Sequence, residues 1–261
     1  MNLHPLNCFT CNARYPRHWQ SGQLCLLVES SHGLILVDTG LGTGDYVREP
    51  LILKAFKLAT IVPLNPEEAA IRQIKKLGFQ PEDVRHIVLT HLHFDHAGGL
   101  PDFPWAKVHV HRREYEHFLS GKFRQWVDGG YNHHVLDHNP TMECYETADS
   151  SWYDFEAIRL NIEAEMYLIP LFGHSPGHCG VAIKIPIGWH FHVGDAASFA
   201  EDAPDRMVQF VLGPHQPRLR AFDENHPEVR MTKGHMKLET FTPNGMILQS
   251  GMESKKKDKF Y

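Results

Sequence analysis

A chain of 261 residues with 42% hydrophobic residues is long enough for one sizeable core. No segment has the apolar length that spans a bilayer, so one soluble globular unit over residues 1–250 is expected, with no membrane partner. The net charge of -5, from 26 basic and 31 acidic residues, gives no electrostatic footing for nucleic acid or anionic lipid, and five cysteines are too few and too odd in number for a disulfide scaffold.

The first residues, Met1-Asn2-Leu3-His4-Pro5-Leu6-Asn7-Cys8, carry neither the basic stretch nor the apolar core of a secretory leader, which sets a cytoplasmic expectation. Residues 24–28 and 34–37 are short apolar runs around Ser30-Ser31-His32-Gly33, the composition of a hairpin. Residues 65–78 carry helix signals: Asn65 as cap, Pro66 at the first position, Glu67 and Glu68 at the positive dipole end, Ile71, Ile74 and Leu77 as an inward stripe, and Gly78 as the stop. An apolar strand at 86–89 feeds a histidine-rich segment described below. Residues 107–111 alternate like a half-buried strand with His109 and His111 on its polar face, and 112–127 reads as a helix broken at Gly121. The stretch 128–155 is polar, aromatic and interrupted by proline and glycine, which predicts an irregular exposed insertion holding His133, His134 and His138. Strands are expected at 165–171, 180–185 and 189–193, with a weaker one at 228–232, and 251–261 reads as a flexible charged tail. No internal repeat is visible.

The chain holds 20 histidines, and Leu89-Thr90-His91-Leu92-His93-Phe94-Asp95-His96-Ala97-Gly98-Gly99 concentrates three of them with an aspartate. Residues two apart on an extended segment project to the same side, so His91 and His93 can grip one cation together. Asp95 and His96, after the chain begins to turn, can address a second position close by, and the two glycines permit the tight backbone path beneath it. Imidazole and carboxylate at this spacing suit a borderline divalent cation, and cations about 3.5–4 Å apart can clamp an attacking and a leaving oxygen. Four ligands do not complete two ions. Further donors are sought at other strand ends: His174 in Gly173-His174-Ser175-Pro176-Gly177-His178, Asp195 in His192-Val193-Gly194-Asp195, and His235 in Met231-Thr232-Lys233-Gly234-His235. Cys8 and Cys11 make half of a zinc-ribbon pattern with no second pair and read as free thiols.

In this ordered set the sequence resembles the metallo-β-lactamase superfamily of metallohydrolases. His91-Leu92-His93-Phe94-Asp95-His96 matches its H-x-H-x-D-H signature, and Leu36-Val37-Asp38-Thr39-Gly40 its early strand-end aspartate motif. Gly173 to His178, Gly194-Asp195 and Gly234-His235 match the later motifs in the family's order. The resemblance implies an α+β fold, a four-layer αββα sandwich with the site at one edge. It implies His91, His93 and His174 on one metal, Asp95, His96 and His235 on the other, and Asp195 bridging both; Asp38 is read as a bracing carboxylate and His178 as a residue that supports a ligand or sits in the core. His226 lies near enough in sequence to compete with His235.

Two divalent ions, zinc ahead of iron, manganese or cobalt, would lower the pKa of a bound water from 15.7 toward about 7. The expected function is hydrolysis of a small ester, lactone or thioester by the resulting hydroxide, with Asp95 as the catalytic carboxylate that orients the water and carries its proton. A phosphodiesterase or nuclease on the same scaffold, or a mononuclear iron persulfide oxygenase, is the alternative. Aspartate at 195, where many zinc β-lactamases carry cysteine, argues against antibiotic hydrolysis, His93 disfavours the flavodiiron pattern, and the short segment after His235 leaves no room for the helical domain of type II glyoxalases. The His91–Gly99 phrase is most similar to acyl-homoserine lactonases, which place a tyrosine three residues after the bridging aspartate; Ser198 stands there in this chain. Residues 199–222, with Phe199, Met207, Phe210, Val211, Leu212 and Phe222, are read as an apolar lid over the site or as the packing of an inserted helix.

Overall fold

A computed structural model describes residues 2–13, 20–120, 130–197, 213–237 and 241. Ser198, residues 199–212 of the expected lid, residues 121–127 of the expected helix and the tail at 251–261 lie outside the described residues. The strands are β1 (Leu3–Ala13), β2 (Gln20–Ser30), β3 (Gly33–Val37), β4 (Thr60–Ile61), β5 (Val84–Val88), β6 (Lys107–His111) and β7 (Thr141–Tyr145), then β8 (Ser150–Trp152), β9 (Phe155–Arg159), β10 (Met166–Pro170), β11 (Cys179–Ile185), β12 (Gly188–His192), β13 (Val229–Thr232) and β14 (His235–Lys237). The helices are α1 (Thr43–Val47), α2 (Leu51–Ala59), α3 (Ala70–Lys76), α4 (Phe94–Ala97), α5 (Arg112–Leu119) and α6 (Gln216–Asn225).

Among the described residues these strands form two sheets. The first runs β4-β1-β2-β3-β5-β6-β7, with β14 added against β2; the second runs β13-β12-β11-β10-β9-β8. The period-2 alternation of side chains sorts the apolar residues into layers. Leu24, Leu26 and Val28 of β2 and Ile35 and Val37 of β3 meet Met166, Leu168, Val181 and Ile183 of the second sheet in the central core. Their strand neighbours Cys25, Leu27, Leu34 and Leu36 face the other way, onto Ala70 and Ile74 of α3 and Phe118 of α5. On the far side of the second sheet, Phe155, Ala182 and Phe191 pack on Leu219 and Phe222 of α6. The layers are therefore helix, sheet, sheet, helix: an αββα sandwich. Phe222 belongs to this outer core rather than to a lid.

Several expectations change. His109 and His111 do not lie on a polar face: both are buried, because the face of β6 opposite Val108 and Val110 is covered as well, His109 meeting His86 and Tyr145 and His111 meeting Phe172. The stretch read as an irregular insertion carries β7, β8 and the start of β9, and its residues Tyr131 and Asn132 are buried. His134 within it is exposed, as expected. β1, rich in polar residues, becomes a strand through its pairing with β2 rather than through its own propensity. The helix at 65–78 opens as a 3-10 turn, capped by Asn65 Oδ1 accepting from Glu67 N at 3.2 Å, before α3 proper. No helix among the described residues is long and apolar enough to cross a membrane.

Candidate metal centre

Three parallel strands, β3, β5 and β6, end at one edge of the first sheet, and the chain leaving two of them carries the chemistry. After β3 comes Asp38, held at φ 54, a left-handed conformation that aspartate tolerates better than bulky residues. Beyond β5 lies the segment from Thr90 through His91 and His93 into α4, which contributes Asp95 and His96. The second sheet brings His174 after β10 and Asp195 after β12; β13, parallel to β12, ends at the same edge, and the chain then crosses to the first sheet at His235 in β14. Two glycines make the crowding possible. Gly194 adopts φ 52, and a side chain on Gly234 would strike Asp195 Oδ1 at 2.2 Å.

All seven expected donors come together. His91, His93 and His174 form one group, His91, His96 and Asp195 a second, and Asp95, His96 and His235 a third; within each, the ligand atoms lie within 4.8 Å of one another. His174 Nε2 is 3.0 Å from His93 Nδ1, and His235 Nε2 is 3.1 Å from Asp95 Oδ2. Asp195 Oδ2 lies 3.4 Å from both His96 Nε2 and His174 Nε2, and 3.9 Å from His235 Nε2. Around this cluster the first ring of support is Asp38. Its Oδ1 accepts from Thr90 N at 2.8 Å, and its Oδ2 accepts from the Thr90 hydroxyl and from His96 Nδ1, each at 2.8 Å. That bond fixes the His96 tautomer with Nε2 aimed at the cluster.

The residues fit a divalent cation on a physical test. The buried Nε2 of His91 has no hydrogen-bond partner, a state that costs about 1–3 kcal/mol unless something electrophilic takes the lone pair, and the buried Nε2 of His96 faces Asp195 Oδ2 at 3.4 Å. Burial, together with the flanking imidazoles, holds His91 and His93 well below the usual histidine range, so both rings are neutral donors. At His96 and His235 burial pulls the same way but is outweighed, at His96 by Asp195 and Asp38 and at His235 by Asp195 and Asp95, and both rings are raised. Asp195 in turn is held well below the carboxylate range despite its burial, chiefly by His96 and His235. A cation binding here would replace those protons against the same carboxylates.

His178 is not among the converging donors. Its Nε2 accepts from Asp195 N at 3.0 Å, and burial pushes the ring down to about 3, so it steadies the backbone of Asp195. His226 packs on Phe222 and Tyr153, ring centroids 4.5 and 4.6 Å apart, away from the cluster. Cys8 and Cys11 are buried free thiols, as expected. Two features escaped the sequence reading. Gly130 and Tyr131 lean on His93: Tyr131 sets its ring edge-on at 4.8 Å, and Phe94 N donates to Gly130 O at 2.7 Å. Glu114 is a fully buried carboxylate behind the same histidines, and the only hint of it was its position four residues before the core-facing Phe118.

Comparison with known proteins agrees with this architecture. The metallo-beta-lactamase superfamily profile matches residues 19–225. A probable metallo-hydrolase of Mycobacterium tuberculosis is 36% identical over 239 residues, covering 86% of this chain and 72% of the relative. The N-acyl homoserine lactonase of Bacillus cereus is 29% identical over 163 residues, which are 61% of this chain and 57% of that protein. A solved N-acyl homoserine lactone hydrolase, with N-hexanoyl-L-homoserine bound at its catalytic metal centre, superposes with a TM-score of 0.64 at 22% identity, covering 89% of this chain and 92% of that one. With the profile spanning most of the chain and the donors gathered at the sheet edge, the protein belongs to the metallo-beta-lactamase superfamily and is a metal-dependent hydrolase.

Proposed function

We propose that the chain hydrolyses a small ester, lactone or thioester at a pair of divalent cations, with His91, His93 and His174 on one, Asp95, His96 and His235 on the other, and Asp195 between them. The observation that carries this reading is the reach of Asp195 Oδ2, which is 3.4 Å from a donor of each group. Histidine and aspartate donors accept zinc, the usual ion of histidine-rich hydrolytic centres and our first choice, and are compatible with iron, manganese and cobalt. When bound, such a pair supplies Lewis acidity and a water acidic enough to react near neutral pH. The chain supplies the rest. His91 and His96, with no exposed surface, form the floor, while the His174 and His235 side chains, 11% and 22% exposed, form the rim from which a substrate approaches. Asp95, beside His235, would take a proton from an attacking water and return it to the leaving oxygen.

Phe94, next to Asp95, joins Phe9 and Phe56 in an aromatic cluster with centroids 5.5 to 6.1 Å apart. That cluster is part of the buried core next to the site, and it is the lactonase relatives that support an acyl-type substrate. The test is metal analysis of the native protein combined with a hydrolysis screen over lactones, thioesters, aryl esters and phosphodiesters. Two zinc ions per chain and turnover of a lactone or thioester, lost in His93→Ala, are expected. Turnover confined to phosphodiesters, or one iron per chain with oxygen consumption, would overturn the proposal.

A further inference from the structure

Glu114, in the first turn of α5, has no exposed surface and accepts four hydrogen bonds. Leu92 N donates to Oε1 at 3.0 Å and the Tyr131 hydroxyl to the same oxygen at 3.0 Å. The Ser175 hydroxyl donates to Oε2 at 2.7 Å and Gly177 N at 2.9 Å. Every donor belongs to a segment that carries or touches one particular group of histidines. Leu92 stands between His91 and His93, Tyr131 backs the His93 ring, and Ser175 follows His174. Gly177 lies so close to the helix that any side chain there would strike the Glu114 backbone at 2.2 Å. None of these four bonds reaches Asp95, His96, Asp195 or His235; the carboxylate on His96 Nδ1 is Asp38.

A buried carboxylate is destabilising unless its lone pairs are filled, and here two main-chain and two hydroxyl donors fill them. The group is therefore fixed and fixes its donors in turn. The need for such a tie follows from the topology. His91 and His93 follow β5 of the first sheet, whereas His174 follows β10 of the second, so neither sheet's own ladder sets the distance between them. One main-chain bond, Cys179 N to Thr90 O at 2.9 Å, joins the two segments below the cluster, and Glu114 joins them beside it. We infer that Glu114 is a positioning residue for one half of the metal centre, holding His91, His93 and His174 at the spacing of a single cation, whereas Asp38 contacts His96 directly and reaches His91 through the Thr90 hydroxyl. The inference rests on the two-cation reading above.

Calorimetric titration of the metal-free protein with zinc tests it. His93→Ala and His235→Ala identify which of two binding events belongs to which half. Glu114→Gln is expected to weaken the event that His93→Ala abolishes by about ten- to a hundredfold and to leave the other unchanged. Tyr131→Phe should shift the same event by less. Equal weakening of both events in Glu114→Gln, or no change in either, overturns the inference. A single event in the wild type would sink the two-cation reading instead; Glu114 then stands or falls on whether its variant weakens that event. If Glu114→Gln does not fold, Tyr131→Phe combined with Ser175→Ala carries the same test, since neither change strands a charge without all its partners.

Discussion

Two histidine clusters border the first sheet, and only one is built like a ligand set. At His86 and His109 the rings form a closed chain: His109 Nε2 lies 2.8 Å from His86 Nδ1, His109 Nδ1 lies 2.8 Å from the Tyr145 hydroxyl, and that hydroxyl oxygen accepts from Asn161 N. Both His109 nitrogens have neutral partners, and no carboxylate among the described residues contributes to the ring's shift. At the strand tips the opposite holds: His91 keeps a buried Nε2 without a hydrogen bond, His96 Nε2 faces Asp195, and Asp38 and Asp95 lie in the same cluster. The abundance of imidazole is the same in both places. What separates a site from a core is the unpartnered lone pair aimed at shared space with negative charge around it.

The largest contrast should come from substitution within each cluster. His93→Ala is expected to lower kcat/KM by more than about a hundredfold, beyond the usual cost of losing a neighbour of a ligand, whereas His109→Gln leaves it within a few-fold. Activity surviving in the first variant, or vanishing in the second, would erase the distinction. Next, zinc at about a hundred times its Kd should raise the unfolding free energy of the metal-free wild type by about 2.7 kcal/mol and do less for His93→Ala, as read by chemical denaturation. Asp38→Asn, which tolerates the same left-handed backbone, should weaken zinc by about tenfold to a hundredfold in competition with a chelator. The smallest effect concerns pH. Burial and the neighbouring His86 push His109 down to about 3, against about 6.5 in the unfolded chain. Between those values the unfolded chain binds a proton that the native ring refuses, so stability present above about pH 6.5 is lost as pH falls toward 3. His109→Gln should make the slope of unfolding free energy against pH shallower by up to about 1.4 kcal/mol per unit.

Much of the site was legible because ligand chemistry needs particular side chains at strand ends, and His91 to His96, His174, Asp195 and His235 each follow an apolar run. The sandwich followed from the family motifs more than from local periodicity. Glu114 stayed hidden since its neighbours Arg112, Arg113 and Glu116 make the segment read as a solvated helix face. Gly130 and Tyr131 were masked by a polar, turn-rich context whose order comes from contacts distant in sequence. His109 and His111 were misread for a related reason: alternation with valine marks one wet face only when a strand has one, and β6 is covered on both.

The passage from β13 in one sheet to β14 in the other puts His235 on the seam of the molecule, with His174 and Asp195 on one bank and His91, His93, Asp95 and His96 on the opposite one. An ion held there rivets the two halves of the sandwich. Loading the centre should therefore knit amide exchange in both sheets into one cooperative opening, and stripping it should let the banks breathe separately.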